Sequence, residues 1–443
     1  MSAPRITRVR GRRVWDSRGR PTVEAEVELT DGSIGRAIAP AGASTGAGEA
    51  IDLRDGGAPF GGMDVMQAVD NVNDTIGPAL IGLDAAAQDR VDQQLITLDG
   101  TRNKSRLGGN ATIAVSMAVA HAAAAARKLP LWRYLLHSSG QGEADDVLMP
   151  LPEIQIFGGG AHASARVDLQ DFMIMPLGAS SFAEALEWTA EVYRAAGKRM
   201  ADRGRLQGVA DEGGFWPAFD SNEEALEELV RAIEDADFVP GDDIGISLDI
   251  ASTQLFKNGK YHLRLDGVTL DSDEMSDMLI GWLDRFPIVS IEDPLAENDD
   301  AGMRNFTEAV GAKVQIIGDD YLVTNAARVE AAVAAGACNA VLIKPNQAGT
   351  LSETRAALEA GQAAGWGTIV SARSGETEDV SIVHLAVGWR AGQFKVGSFA
   401  RSERMAKWNE MLRIEESVGE RARFAGRTAL PQEAACTEQP RLL

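Results

Sequence analysis

The sequence predicts an α/β protein: a small N-terminal α+β capping domain followed by a C-terminal (β/α) barrel of the TIM type. Two observations predict it. After residue 145, six short apolar runs close on a polar or charged residue and alternate with amphipathic helical stretches. Before residue 140, a period-two strand pattern is followed by three helical stretches. Strand-then-helix repetition builds a parallel sheet, and six units in a row favour a closed barrel over an open sheet. The reading divides the 443 residues into a capping domain at 1–140, a barrel at 145–425 and a loose polar tail at 426–443.

Taken in order, residues 5–39 read as β-structure, because Thr22 to Leu29 alternates with period two and Thr30-Asp-Gly-Ser33 follows as a turn. Residues 40–46 are a loop of small residues, and helical stretches follow near 63–82, 85–97 and 109–136. The six runs are 244–249, 288–292, 314–319, 340–344, 367–373 and 393–395, with helices at 272–286, 325–336, 351–365 and 378–390 among them.

The formal charge of −22 argues against nucleic acid as a partner, since phosphate backbones need a basic surface. A small phosphorylated ligand needs only a few local cations and stays open. The basic start lacks an apolar run and does not read as a secretory signal. The apolar stretch 111–126 is short, Ala-rich and interrupted by His121, so it reads as a buried helix and not a membrane span. Cys338 lies in an apolar segment and Cys436 in the polar tail, which gives no disulfide and a cytoplasmic expectation.

The residues that close the runs carry the chemistry. Asp249, Glu292, Asp319, Lys344 and Lys395 follow one another at intervals of 43, 27, 25 and 51 residues. One barrel unit takes roughly 25–35 residues, so these side chains fall on the C-terminal face, where barrel enzymes place their sites. A lone strand-end charge is usually solvated; three acids and two lysines on one face are not readily accidental. Three converging carboxylates need a cation, and an all-oxygen donor set suits Mg²⁺. A divalent metal beside two lysines suits removal of a proton α to a carboxylate, because the metal neutralises the dianionic enolate and a lysine near another cation can act as the base.

From about residue 5 to 425 the chain resembles the enolase family. The resemblance rests on Asp16-Ser-Arg-Gly19, Gly42-Ala-Ser-Thr-Gly46, Gly158-Gly-Gly-Ala-His-Ala163, Asp211-Glu-Gly-Gly-Phe215, Ser290-Ile-Glu-Asp293, Gly318-Asp-Asp320, Leu342-Ile-Lys-Pro-Asn-Gln347, Ser374-Gly-Glu-Thr-Glu-Asp379 and Lys395-Val-Gly-Ser398. It implies conversion of 2-phosphoglycerate to phosphoenolpyruvate or a close analogue, in a homodimer or higher homo-oligomer. It implies Asp249, Glu292 and Asp319 as Mg²⁺ ligands, with Ser44 helping to bind a second Mg²⁺. Lys344 would be the base and Glu212 the acid, a role that needs a partly protonated carboxyl. His162, Gln170, Asp171, Arg373, Ser374 and Lys395 would bind substrate, Lys395 at its carboxylate and Arg373 and Ser374 at its phosphate.

Four positions depart from the family pattern: Ala41 for a serine, Asp171 for a glutamate, Ala372 for a histidine, and Phe157 for an asparagine. The expectation is that all four alter the substrate side of the site while metal and base are kept. That would suit a specialised paralogue acting on a phosphorylated or phosphonate substrate, such as a carboxyphosphonoenolpyruvate synthase. A scaffold protein that kept only the fold is the reading from another class; the complete ligand set opposes it.

Overall fold

The computed structural model describes residues 4–140 and 146–431. Cys436, Pro440 and most of the expected tail lie outside the described residues.

The capping domain opens with an antiparallel sheet of β1 (Ile6–Trp15), β2 (Pro21–Leu29) and β3 (Ile34–Ile38), in that order. In β2 the alternating residues Val23, Ala25, Val27 and Leu29 are buried, as the period-two pattern requires. They pack on α1 (Gly109–Ala126), whose backbone comes so close to β3 that a Cβ on Gly35 would fall 2.1 Å from the Ala118 carbonyl oxygen. By length and composition α1 could cross a membrane, at mean hydropathy 1.2, but 83% of it is buried inside the fold.

Two expected helices differ in detail. The stretch 109–136 is two helices, α1 and α2 (Leu131–Ser138), because Pro130 disfavours helical backbone at the residue before it and caps the second helix. The stretch 63–82 runs Met66–Asp70, then one π-type segment, Asn71–Ile76, then Gly77–Leu80.

The barrel has eight strands: β4 (Leu151–Gly158), β5 (Asp171–Met175), β6 (Gly245–Asp249), β7 (Ile288–Glu292), β8 (Gln315–Gly318), β9 (Ala340–Ile343), β10 (Gly367–Ser371) and β11 (Gln393–Ser398). The sheet closes in the order β7-β8-β9-β10-β11-β4-β5-β6. The six expected runs are all strands. The other two, β4 and β5, complete the closure, and β5 is antiparallel to both neighbours. Residues 159–170 between them hold only a short 3₁₀ turn, Gly160–Ala163. A parallel return needs a crossover helix, so a link this short gives an antiparallel pair.

Among the helices outside the barrel are α3 (Ala326–Ala335), α4 (Leu351–Ala363), α5 (Ser381–Gly388) and α6 (Ser402–Val418). The start of the expected loose tail is packed instead: Gly426–Ala429 forms a 3₁₀ turn, Leu430 is buried, and Arg427 donates to the Gly241 and Asp242 carbonyls at 2.9 and 2.7 Å.

Where α1 meets α5 and α6, a buried histidine, His384, meets a half-buried one, His121. His121 Nε2 lies 2.8 Å from Ser381 Oγ, and its ring stands edge-on to His384 at 6.1 Å. His384 Nδ1 has no partner, and Nε2 is 3.7 Å from Glu410. Burial, then the neighbouring His121, push His384 down to about 4, against a smaller opposing pull from Asp379. Protons therefore bind the unfolded chain first, and this group's stability is lost as pH falls from about 6.5 toward 4. At pH 5 the loss is about 2 kcal/mol. Urea denaturation at pH 7.5 and 5 should show a steeper loss for the native protein than for His384→Leu; equal losses would count against this assignment.

Candidate active site

The C-terminal ends of the parallel strands deliver the polar residues to one face. Asp249 and Glu292 are the last residues of β6 and β7 and pair side by side in register. Asp319, Lys344 and Arg373 follow β8, β9 and β10 within two residues, and Lys395 lies in β11. Because β5 runs the other way, its first residue reaches the same face: Asp171 pairs with Asp249.

Two ammonium groups hold the carboxylates together. Lys395 Nζ donates to Glu292 Oε2 at 2.7 Å and Asp249 Oδ2 at 3.1 Å, with Asp171 Oδ2 3.6 Å away. Lys344 Nζ donates to Asp319 Oδ2 at 2.5 Å, while Gln347 Nε2 donates to Asp319 Oδ1 at 2.9 Å. Gln170 donates to Asp249 Oδ2 at 2.9 Å and accepts from Gln254 at 3.0 Å, so it fixes Asp249. Burial lowers Lys344, but Asp319 and Glu292 outweigh it and carry the amine above its ordinary value. In this arrangement the ion pair outweighs burial and the neighbouring cations.

The three expected metal ligands fit a hard divalent cation. All three are buried, and Glu292 Oε1 has no hydrogen-bond partner. Burial first, then the Asp249 charge, raise the Glu292 carboxyl well above its usual range, the state of a site short of positive charge. Among the described residues, a carboxylate group on this side whose oxygens lie within 4.8 Å of one another differs from the expected set: it joins Asp319 to Asp293 and Asp320. Asp293 is tied to the backbone, accepting from the Asp319 and Asp320 amides at 2.9 and 2.8 Å.

Across the cleft, His162 Nε2 lies 3.8 Å from both Asp171 Oδ1 and Glu212 Oε1. Burial pushes both carboxyls up. At Asp171 it prevails and carries the group to about 6. At Glu212 the neighbouring His162, Arg404, Lys395 and Lys344 outweigh it and hold the group below its usual range. Of the two acids, Asp171 is the one held higher and Glu212 the one held lower, a difference that depends on which acid faces more positive charge.

The anion-binding side is built by the loop after β10 and by the capping domain. Arg373 Nη1 donates to Glu49 at 3.0 Å and Asn346 at 3.1 Å, and Nη2 donates to the Ser44 carbonyl at 2.8 Å. Ser374 Oγ accepts from Arg18 at 3.1 Å. Beneath them Arg404, fully buried on α6, donates to the carbonyls of Arg373, Ser374 and Val396. Lys407 pairs with Glu376 at 2.9 Å, which in turn accepts from the Arg373 amide at 3.0 Å. Glu49, Gln347, Arg404 and Lys407 were not singled out from the sequence; each lies off the strand ends that the spacing picks out.

Of the four departures, two line the cleft and two do not. Asp171 and Ala372 line it together with Ser44, His162, Glu212 and Lys344. Phe157 is 1% exposed and packs edge-on against Phe219 at 4.9 Å, so its bulk goes to the core. Ala41 is buried, and its backbone exchanges two 2.9 Å hydrogen bonds with Gly375. The free space in the cleft is about 20 Å³, room for about one water molecule.

Residues 6–135 match a family model for the enolase N-terminal domain, and residues 146–433 match one for the enolase C-terminal TIM barrel domain. The chain belongs to the enolase family. As an enolase-family protein it is a lyase of the phosphopyruvate hydratase kind.

Proposed function

We propose that this enolase-family lyase removes the proton α to the carboxylate of a small phosphorylated acid and then expels the β-substituent, with 2-phosphoglycerate or a close analogue as substrate and Mg²⁺ as cofactor. The observation that supports it best is the convergence of Asp249, Glu292 and Asp319 with Lys344 and Lys395 at one barrel face. Mg²⁺ held by the three carboxylates would supply positive charge beside the anion that develops on the substrate. Ser44, on the loop over the cleft, would add a ligand for a second ion.

Lys344 takes the α-proton; engagement of the Asp319 charge by a cation would weaken the pairing that raises the amine, while burial and Arg373 act to lower it. Lys395 pairs with the substrate carboxylate. His162, Asp171 and Glu212 line the opposite wall, where Glu212, or Asp171 with its raised carboxyl, is placed to protonate the departing hydroxide. Arg373 receives the phosphate by exchanging Glu49 for it, one anion for another on the same fork.

A second reading has its own observation. Asp171 and Ala372 both line the cleft, so the pocket is altered where the reacting groups lie. That favours a paralogue specialised for a phosphonate or other modified substrate, of the carboxyphosphonoenolpyruvate synthase kind. The test is turnover of 2-phosphoglycerate with Mg²⁺, followed by the ultraviolet absorbance of the enol phosphate. The absorbance should rise, stop on chelation and resume when Mg²⁺ is returned. Turnover that survives exhaustive chelation would remove the metal from the account.

A further inference from the structure

The cleft is covered by residues 41–49, pinned at Ala41 by Gly375 and at Ala50 by the Gln347 carbonyl at 2.7 Å. Gly42, Ala43 and Ser44 of this loop line the cleft, which as it stands has room for about one water molecule. At the loop's exposed tip a single residue is gripped from both sides. The Ala47 amide donates to Glu297 Oε2 at 2.8 Å, and the Ala47 carbonyl accepts from Arg328 Nη2 at 2.6 Å. The negative side chain meets the N–H and the positive one the C=O, so both ends of the Ala47 backbone are matched in sign. Glu297 follows β7 and is fixed by its own amide donating to Thr253 Oγ1 at 2.9 Å; Arg328 stands on α3 and also reaches the Tyr321 carbonyl at 3.3 Å. Gly48 completes the fit, since at φ +113° a Cβ there would be strained and would lie 2.7 Å from Arg328 Nη2. Neither Glu297 nor Arg328 lines the cleft.

We infer that Glu297 and Arg328 are positioning residues that clamp Ala47 and thereby hold the 41–49 loop, with Ser44 on it, closed over the substrate. The kinetic part rests on the lyase reading above; the clamp itself does not. Losing one arm shifts the loop toward the open form, so the closed complex that retains the substrate is less stable by the same factor. Loss of a single exposed hydrogen bond to a charged group is expected to change that population about three- to tenfold.

The test compares full-length native enzyme with Glu297→Ala, Arg328→Met and Glu297→Gln, the last keeping an acceptor for the Ala47 amide. Amide hydrogen exchange of residues 43–48, measured by mass spectrometry without substrate, should quicken about three- to tenfold in the first two and stay near native in Glu297→Gln. KM for 2-phosphoglycerate should rise by the same factor while kcat stays within about twofold. Unchanged exchange in Glu297→Ala and Arg328→Met would overturn the clamp, as would a fall in kcat with KM unaltered. Glu297→Gln as damaged as Glu297→Ala would also overturn it. If Arg328→Met does not fold, the Glu297 pair decides alone. If 2-phosphoglycerate is not a substrate, the exchange measurement decides without it.

Discussion

Replacing Lys344 by alanine is expected to lower the rate of the lyase reaction by roughly 10²- to 10⁴-fold, the usual contribution of a positioned general base. The side chain ends at Asp319 and is 7% exposed, so nothing else in the cleft can take its place without moving. The variant also leaves Asp319 without its ammonium partner, and part of any loss could come from that imbalance. A small external amine separates the two effects, since it can enter the space left by the side chain and accept the proton. Partial rescue with a bell-shaped dependence on pH supports the base assignment. Turnover by Lys344→Ala at the native rate would refute it.

The second large effect concerns the two altered positions in the cleft. Ala372 offers no donor where the family has a histidine, and loss of a hydrogen bond to a charged group costs about 1.5–3 kcal/mol. If that loss falls on the transition state, native turnover of 2-phosphoglycerate should lie roughly ten- to a hundredfold below that of a good enzyme. The double variant Ala372→His with Asp171→Glu should recover much of it, although contacting positions need not add. Steady-state kinetics on the native protein and the double variant make the comparison. Fast native turnover would defeat the specialised reading and leave the plain dehydratase one.

The barrel was legible because its chemistry is periodic. Runs that end at Asp249, Glu292 and Asp319 betray strands whose last residue must face a site, and all six such runs are strands. What the sequence hid is what depends on geometry. The antiparallel β5 carries its functional residue at its start, so a search of strand ends passes over Asp171 as a member of the ladder. Phe157 and Asp171 stand fourteen residues apart near one end of the barrel, yet one side chain enters the core and the other the cleft. The fully buried cations Arg404 and Lys407 look like ordinary helical charges until α6 is folded against the loop after β10. Charge balance among buried groups is likewise invisible in one dimension: it shifts Asp171 and Glu212 in opposite directions and ties both lysines to carboxylates.

The most direct test of the central claim follows the α-proton itself. Native protein, 2-phosphoglycerate and Mg²⁺ are mixed in deuterium oxide, and loss of the α-proton signal is followed by proton NMR alongside product formation. Abstraction by Lys344 predicts that the signal disappears at least as fast as product forms, and that it persists in Lys344→Ala. An α-proton retained in the native protein throughout, or lost equally fast in Lys344→Ala, would contradict the account.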